Sequence, residues 1–561
     1  MKRQSQSGSA EAFDPILLQI LWNRLISIAD EGRATLVRTA FSTAVSESND
    51  CAVVITDAAG NSLAQNSGSP PSYVGVLPSV VKEYLRDGTG GPLAPDDILI
   101  TNDPWIGSGH LPDIILVEPI FWGTRLVAFG TCAAHTSDIG GLMWAADANS
   151  VFEEGVRIPP MRLSRKGRIN RTLTDLLTAN VRQPEQIMGD LYALRAALRV
   201  MKRGVLELLA EMPSHDLQHL SDGILSRSER AMRTAISAVP DGDYPYAVEL
   251  DGVGAPLILK MKMSVRGDRI HMDFSGSSNQ VAAGINSPLK FTYAYASYPL
   301  KCALDPTTPQ TEGAYRPITI EAPLGSILNA PHPAPVGARH LTGQCVSNLV
   351  LAGLSLAMPK LAVAEAGSTP ALRVVFSGER KDNNRFTTVL FASGGMGGGS
   401  TRDGQDCTPF PTNTGGGSIE VMESTAPLRF HKREMLIDSG GSGQFRGGVG
   451  QEIVVEVTSP KPSRLSTLAD RVDHAAQGIL GGTAGAPTVL SVDGTTMPPK
   501  ARATVAAGAK LTIHYAGGGG YGDPHKRNPE SIAADIKNGL VSSEAARRDY
   551  GFEVGFDGAT K

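Results

Sequence analysis

Two histidines and an aspartate within one short stretch of the sequence have the side chains that bind divalent metal ions. The stretch is SGHLPDIILVEPIFWGTRLVAFGTCAAHTSD, residues 108 to 138, and it contains His110, Asp113 and His135. Two imidazoles and one carboxylate without a nearby thiolate suit Zn²⁺, Mn²⁺ or Fe²⁺ better than Ca²⁺ or Mg²⁺, which prefer oxygen ligands. Three protein ligands would leave positions open to water or substrate, as in catalytic sites. The alternative is that these are ordinary core or surface residues at a chance spacing.

The residues between the two histidines predict a β-hairpin that would bring the three side chains together. ILVEPIFW and LVAFGTCAA are runs of β-favouring residues, joined by a turn near Gly123. Asp113 lies about ten residues before this turn, and His135 lies about eleven residues after it. Because equal distances from an antiparallel turn give neighbouring positions, we expect His135 beside Asp113. His110 would lie close by, on a chain bent by Pro112.

Two further aspartates, Asp103 and Asp138, lie near these candidate ligands in the sequence. Either carboxylate could hold a ligand imidazole through its second ring nitrogen, the usual arrangement around metal-bound histidines. Asp103 precedes a proline, so its alternative role is that of a turn residue.

Composition limits the class of protein and the kinds of partner. The chain has 561 residues, of which 41% are hydrophobic and 19% charged, which predicts an ordinary globular protein of several domains. A net charge of −4 and the lack of a basic run argue against nucleic acid as a partner. No secretory signal or membrane span is evident, so we expect a cytoplasmic protein without a membrane partner. Five scattered cysteines without a CxxC pair predict neither disulfides nor a thiolate zinc site.

The hydrophobic patterning predicts an α+β fold with several parts. We expect antiparallel β-hairpins around the metal site, a central helical block, and a β-rich, glycine-rich C-terminal part. The predicted boundaries are 1–12 for a disordered arm, 13–170 for an N-terminal mixed α/β metal-site region, 171–240 for the helical block, 241–430 for a central mixed α/β region, and 431–561 for a β-rich C-terminal region with terminal helices.

Eight short motifs occur in order along the chain. They are NDPWIGSGHLPDI (102–114), AHTSDIGG (134–141), EGVRIPPMRL (154–163), NVRQPEQIMGDL (180–191), DFSGSSNQ (273–280), PAPVGARHLTG (333–343), DSGGSGQFRGGVG (438–450) and GGGGYGDP (517–524). Together they resemble the hydantoinase B/oxoprolinase family over roughly residues 13 to 553. This family includes the B subunits of ATP-dependent hydantoinases, oxoprolinases and lactamases, and related subunits of acetone and acetophenone carboxylases.

The resemblance implies a metal site in this chain. It places the family's metal ligands on His110, Asp113 and His135, and a further aspartate ligand on Asp50. The family's aspartate usually follows arginines, whereas the segment here reads SESNDCA and has none. We expect a divalent ion, with Zn²⁺ or Mn²⁺ favoured.

The resemblance also implies a partner that binds and uses ATP. This A-type subunit would form a hetero-oligomer with the chain, such as a heterotetramer of two A and two B chains. In agreement, no GxxxxGK[ST] loop occurs in the sequence. The clusters GGMGGG, GGSGQFRGG and GGGGYG are interpreted as structural turns, with phosphate binding as the alternative.

Arg339 and His340, in PAPVGARH, form a second candidate site. A guanidinium fork matches phosphate geometry, so these residues could bind an anionic or phosphorylated intermediate. The alternative is a helix N-terminus that packs against the core.

Together with the candidate ligands, the resemblance implies the metal-binding B-type subunit of an ATP-dependent cyclic amide hydrolase of the hydantoin, oxoproline or lactam type. The A-type subunit would phosphorylate the substrate carbonyl, and the metal would act as a Lewis acid or make bound water more acidic. A length of 561 residues without a long insertion is more similar to the hydantoinase and lactamase members than to the longer carboxylase subunits. The resemblance therefore favours hydrolysis over the ATP-dependent carboxylation of a ketone. The remaining alternative is a non-catalytic subunit whose metal is structural.

Overall fold

Helices and mostly antiparallel sheets make up the computed structural model, which is the α+β fold predicted above. The described residues are 13–73, 75–88, 91–142, 144–212 and 216–553. The predicted disordered arm, residues 1–12, lies outside them. Within these ranges no helix is both long enough and apolar enough to cross a membrane.

The helices and strands of the described residues have the following bounds. The helices are α1 (Pro15–Thr39), α2 (Thr43–Ser46), α3 (Val76–Asp87), α4 (Arg171–Ala179), α5 (Pro184–Glu211), α6 (Leu217–Ile236), α7 (Leu289–Leu304), α8 (Glu312–Tyr315), α9 (His340–Gly343), α10 (Cys345–Ala357), α11 (Ile419–Thr425), α12 (Pro529–Lys537) and α13 (Ser543–Tyr550). The strands are β1 (Cys51–Asp57), β2 (Ser62–Gln65), β3 (Ile98–Thr101), β4 (Asp113–Trp122), β5 (Arg125–His135), β6 (Met161–Arg165), β7 (Arg168–Ile169), β8 (Gly242–Leu250), β9 (Leu257–Arg266), β10 (Arg269–Asp273), β11 (Ile318–Glu321), β12 (Arg373–Glu379), β13 (Arg385–Phe391), β14 (Leu428–Met435), β15 (Gln451–Val457), β16 (Ser463–Leu468), β17 (Val489–Val492), β18 (Thr495–Thr496), β19 (Arg502–Val505) and β20 (Lys510–His514).

The first sheet contains the predicted hairpin at its centre. Its strands lie in the order β2-β1-β5-β4-β3-β6-β7, and β4 pairs with β5 across a turn at Gly123 and Thr124. Helices α1 and α5 cover one face of the sheet, and α3 covers the other. Because both faces are covered, β4 and β5 are buried along most of their length. This explains why the sequence shows continuous apolar runs there instead of alternation.

Helix α1 begins at a capping aspartate and packs on this sheet through its apolar residues. The Asp14 carboxylate accepts hydrogen bonds from the amides of Ile16 and Leu17 at 2.9 and 2.8 Å, which satisfies two amides at the helix start. One turn and a half further on, Trp22 is fully buried and donates its indole N–H to the Leu63 carbonyl at 3.0 Å.

The second sheet, β11-β10-β9-β8, carries helices α7 and α10 on one face only. Strand β9 alternates buried and exposed residues along its length, as expected for a sheet with one solvated face. The segment 291–304 is helical and belongs to α7. Helix α10 is buried over most of its length.

The chain from β12 onward, called the C-terminal part below, contains two more sheets, β13-β12-β16-β19 and β14-β15-β20-β17-β18. Their strands come from both the predicted central region and the predicted C-terminal region. Their facing apolar residues form one hydrophobic cluster. The predicted terminal helices are α12 and α13, which pack together in a small cluster of their own.

The glycine clusters of this part form an array in which backbones pack directly against each other. The amide of Gly518 donates to the carbonyl of Gly448 at 2.9 Å, and the amide of Gly448 donates to the carbonyl of Met396 at 2.7 Å. A Cβ atom placed on Gly395 would lie 1.7 Å from the carbonyl oxygen of Gly448, so a side chain cannot be accommodated there. These glycines are structural, as predicted, but their role is close approach between segments rather than turning. Such amides are engaged within the array, which counts against phosphate binding.

The predicted domain boundaries stay predictions. The largest hydrophobic cluster joins residues of α1, the first sheet and helices α4 to α6. The regions 13–170 and 171–240 therefore share a core in this structure.

Candidate metal centre

Three neighbouring strands bring acidic and imidazole side chains to one edge of the first sheet. Asp113 begins β4 and lies opposite His135, which ends β5, so the predicted pairing is confirmed. On the other side of β5, Cys51 of β1 lies opposite Ala134, and the amide of His135 donates to the carbonyl of Asp50 at 3.1 Å. Asp50 and Asp113 therefore flank His135.

The ligating atoms of His110, Asp113 and His135 all lie within 4.8 Å of one another. Asp113 Oδ1 is 2.9 Å from His110 Nε2 and 2.9 Å from His135 Nδ1. All three residues are about 2% exposed. The predicted convergence of these side chains is thus present in the fold.

The protonation of His110 makes the cluster suitable for a cation. Its Nδ1 lies 3.1 Å from the Gly337 carbonyl, and because a carbonyl only accepts, Nδ1 must carry the hydrogen. Burial and the nearby Arg339 guanidinium lower the pKa of His110 to about 4, so the ring is neutral at pH 7 and Nε2 has a lone pair. That lone pair has no hydrogen bond of acceptable geometry, although it lies 2.9 Å from Asp113 Oδ1. Two electron-rich atoms so close together need a positive charge between them, which fits a metal ion.

A network of donors fixes Asp113 in its ionised form. Ser108 donates its hydroxyl to Asp113 Oδ2, and Arg339 Nη2 donates to the same oxygen at 3.1 Å. Arg339 is itself held by the Ser108 carbonyl at 2.7 Å and by the Phe291 ring, 4.2 Å from its guanidinium carbon. Burial opposes the charge, but the hydrogen bond with His135 and the Arg339 guanidinium hold the pKa of Asp113 well below its usual range.

The Glu154 carboxylate holds the backbone segment whose Gly337 carbonyl contacts His110. Its Oε1 accepts from the amides of Val336 and Gly337 at 2.7 and 2.6 Å, and the Gly337 carbonyl receives His110 Nδ1 and, at 2.7 Å, Trp144 Nε1. Sequence reasoning missed Glu154 and Trp144 as site residues. The only signal for Glu154 was its position in the motif EGVRIPPMRL.

Asp50, the fourth predicted ligand, lines the same cavity as the cluster. It does not belong to the group of atoms within 4.8 Å, which among the described residues contains only His110, Asp113 and His135. Burial raises the pKa of Asp50, while His135 opposes this shift.

The structure does not bring Asp103 and Asp138 to the imidazoles. Asp103 pairs with Arg157 at 2.7 Å and accepts from the amide of Trp105 at 2.9 Å, which is the turn role considered above. Asp138 pairs with Arg182 at 2.6 Å. The Gly337 carbonyl occupies the position beside His110 Nδ1.

The cavity beside the cluster is lined by residues from three stretches of the chain, 50–144, 291–344 and 371–414. It has a volume of about 30 Å³, which is room for an ion and about two water-sized groups. The first sheet contributes the cluster and Asp50, and the helical segments of the second part contribute further polar walls. The lining residues are Asp50, Pro70, Ser72, His110, Asp113, His135, Trp144, Phe291, Tyr295, Arg339, His340, Gln344, Ala371, Arg373, Thr412 and Thr414.

His340 and Arg339 occupy different positions around this cavity. Arg339 is engaged with Asp113 and Ser108, whereas neither ring nitrogen of His340 has a hydrogen-bond partner among the described residues. The His340 ring is 3% exposed and lies 5.2 Å from the Trp144 ring.

Comparison with known proteins places these features in a family. The model of the Hydantoinase B/oxoprolinase family matches residues 14–524. The chain is 30% identical over 569 residues to the putative D-/L-hydantoinase B subunit of Pseudomonas sp. (strain NS671), and the match covers 96% of this chain and 95% of that protein.

Two solved structures share the fold. The crystal structure of the ATP-dependent caprolactamase from Pseudomonas jessenii superposes with a TM-score of 0.91 at 27% identity and covers 98% of both chains. A nucleotide-free acetone carboxylase structure superposes with a TM-score of 0.88 at 20% identity, covering 98% of this chain and 81% of the other. At this lower identity the second likeness concerns the fold alone.

Proposed function

Since the chain belongs to the hydantoinase B/oxoprolinase family, we propose that it is the metal-binding B-type subunit of an ATP-dependent cyclic amide hydrolase. The observation that supports this most directly is the buried cluster in which Asp113 Oδ1 lies 2.9 Å from both His110 and His135. The substrate class is a hydantoin, an oxoproline or a lactam. In the reaction the amide C–N bond breaks, the oxygen of water joins the carbonyl carbon, and the released nitrogen takes up a proton.

His110, Asp113 and His135 would hold a divalent ion, with Asp50 as a fourth ligand. When bound, Zn²⁺ or Mn²⁺ would polarise a carbonyl oxygen and make water more acidic at neutral pH. The donor set of two nitrogens and carboxylate oxygens suits these ions. All of these ligands lie at one end of the strands of the first sheet, so the side of the ion that faces the cavity would stay open to water or substrate.

The surrounding residues keep Asp113 ionised and His110 in the tautomer that can bind a metal ion. Arg339 and Ser108 hold Asp113 ionised and in one orientation, and Gly337 holds His110 in the tautomer with a free Nε2. The Trp144 ring packs against both imidazoles, 4.7 Å from the His135 ring and 5.6 Å from the His110 ring, and both histidines are about 2% exposed. A water-poor site strengthens each of these charge interactions.

ATP would be used by a separate A-type partner in a hetero-oligomer, proposed to have two A and two B chains. The relatives' names support this division, because one is a B subunit of a hydantoinase and another is the beta subunit of a caprolactamase. The solved caprolactamase is described as ATP-dependent. The partner would phosphorylate the amide oxygen, and phosphate would leave during hydrolysis. We propose a cytoplasmic location for the complex.

A ketone carboxylase is the second candidate, favoured only by the fold likeness to acetone carboxylase. The relatives at 27 to 30% identity include hydantoinase and lactamase subunits, which supports hydrolysis. Turnover with labelled bicarbonate separates the two, because only a carboxylase retains the label in a new carboxylate. A non-catalytic subunit is the third candidate, and it requires a metal closed off by four protein ligands with no exchangeable water.

The proposal is tested with His135→Ala and a matched control. We expect the full-length His135→Ala chain to lose its metal by elemental analysis, and the complex with its A-type partner to lose ATP-coupled amide hydrolysis. His271→Ala removes a histidine on the solvated second sheet, 44% exposed, and should retain both. Full turnover by a metal-free His135→Ala complex would overturn the proposal.

A further inference from the structure

Arg373 differs from the other buried arginines of the described chain. Five arginines are 4% exposed or less. Four of them lie within 4.0 Å of a carboxylate, namely Arg339 with Asp113, Arg446 with Asp406, Arg471 with Glu365 and Arg527 with Asp403. Arg373 makes no ion pair with any described carboxylate. A buried charge without an opposite charge is costly, so Arg373 needs an anion from outside the chain or a distant one within it.

The Arg373 side chain is held in place at the cavity that contains the metal cluster. It begins β12, and its Nη2 donates to Thr414 Oγ1 at 3.0 Å while its Nη1 donates to the Leu372 carbonyl at 2.9 Å. The Phe391 ring lies 4.4 Å from its guanidinium carbon. A guanidinium has five N–H donors, and these contacts leave several of them for a ligand.

The loop that carries Thr414 has an internal hydrogen bond and is anchored to the segment before β1. Thr412 Oγ1 lies 2.9 Å from Thr414 Oγ1, and the Gly415 amide donates to the Ser48 carbonyl at 2.7 Å. Ser48 is two residues before Asp50, so the loop joins the C-terminal part to the metal-site edge of the first sheet. The guanidinium is therefore positioned before any ligand arrives.

His340 gives a second, independent indication of a ligand at this cavity. Both of its ring nitrogens are buried and lack a hydrogen-bond partner, and the ring lines the cavity together with Arg373. Buried polar atoms are nearly always satisfied in native proteins, and an exception usually marks a missing ligand or water.

Burial lowers the pKa of Arg373, and among the described carboxylates Asp50 opposes this shift. In the proposed function Asp50 is a metal ligand, so its charge is shared with a dication. With the metal bound, the cavity walls hold two guanidinium charges and two divalent-ion charges against the carboxylates of Asp50 and Asp113. The excess is positive and can be neutralised by an anionic ligand.

We infer that Arg373 and His340 form a subsite for an oxyanion, separate from the metal ligands but lining the same cavity. The inference rests on the proposed function and extends it, because it states that the molecule acted on reaches the site with a negatively charged group. Two sources share this chemistry: the phosphoryl group of the activated substrate, and a carboxylate on the substrate itself. Arg339, the arginine that the sequence favoured for this role, is instead bound to Asp113.

The test is isothermal titration of the metal-loaded full-length chain with inorganic phosphate and, separately, with acetate. We expect at least one anion to bind, and Arg373→Gln to weaken that binding by about tenfold or more, since a charge-assisted hydrogen bond is lost. Tighter binding of phosphate assigns the subsite to a phosphoryl group, and tighter binding of acetate assigns it to a carboxylate. Circular dichroism of each variant verifies folding.

Lysine substitutions provide the matched control. Arg373→Lys keeps the charge but loses the planar fork, so it should also weaken binding, whereas Arg446→Lys changes a buried arginine outside the cavity and should not. If Arg373→Gln does not fold, the subsite is tested by comparing anion binding by Arg373→Lys with anion binding by Arg446→Lys. No binding of either anion, or equal binding by the wild type and Arg373→Lys, would overturn the subsite.

Metal content, measured on the same samples, separates this inference from the proposed function. A chain without metal that binds phosphate through Arg373 would contradict the proposed function and support the subsite. A metal-loaded chain whose phosphate binding is lost in His135→Ala but unchanged in the Arg373 variants would bind phosphate at the metal alone, and the subsite would be wrong.

Discussion

His135 lies directly opposite Asp113 in the β4–β5 register, and His135 Nδ1 is 2.9 Å from Asp113 Oδ1. This pairing places a carboxylate between two imidazoles, because His110 approaches the same oxygen at 2.9 Å. The cluster thus depends on one register of one hairpin.

Asp113→Asn should reduce metal affinity by more than about 100-fold, because it removes the only charge within the cluster of three. The measurement is competition with a chromogenic chelator, using the purified chain. Asp103→Asn is the matched control, since Asp103 pairs with Arg157 instead of an imidazole, and its affinity should stay within about threefold of the wild type. Comparable losses in the two variants would contradict the assigned ligands.

Metal removal should lower thermal stability, because an ion that binds only the folded chain stabilises it by mass action. We expect a chelator to lower the unfolding midpoint of the wild type and added Zn²⁺ or Mn²⁺ to restore it. The midpoint of His135→Ala should respond to neither. A wild-type midpoint that is insensitive to both treatments would show that no ion is bound in the folded state.

Glu154→Gln should change how stability depends on pH. Burial raises the pKa of Glu154 to about 8, against the opposing amides of Gly337 and Val336, so the folded chain keeps a proton that the unfolded chain releases above about pH 4.5. The stability that this proton contributes is complete below about pH 4.5 and is lost as the pH rises toward 8. The amide side chain of the variant would be neutral throughout.

The difference in unfolding midpoint between Glu154→Gln and the wild type should therefore shift in favour of the variant as the pH rises from about 5 to about 8. Differential scanning fluorimetry across this range of pH measures it. A difference that is constant across this range would show that Glu154 is ionised in the folded chain.

Gly395→Ala should destabilise the chain by about 3 kcal/mol or more, because the added Cβ would lie 1.7 Å from the Gly448 carbonyl oxygen and the backbones must separate. Gly399→Ala is the control in the same segment, since its nearest contact would be 3.8 Å away. It should change stability by less than about 1 kcal/mol. Chemical denaturation measures the free energy of unfolding of both variants. Equal losses in the two would show that close backbone approach at Gly395 is not the cause.

Several features followed from local sequence patterns. The capped start of α1 at Asp14 and the hairpin that pairs Asp113 with His135 follow from residue types and spacing over a few tens of residues. Hairpin register depends on the turn and on which face is buried, both of which are local properties. The approach of His110 to this pair also lies within that range.

The tertiary structure alone decided what surrounds the cluster. Glu154, Gly337 and Trp144 are distant from His110 in sequence, and Arg373 comes from the C-terminal part. Their contacts arise because three hydrophobic cores pack around one cavity, and no periodicity encodes the packing of one core on another. For the same reason the sequence offered Arg339 for anion binding, and only the fold pairs Arg339 with Asp113 and leaves Arg373 as the buried arginine without a described carboxylate partner.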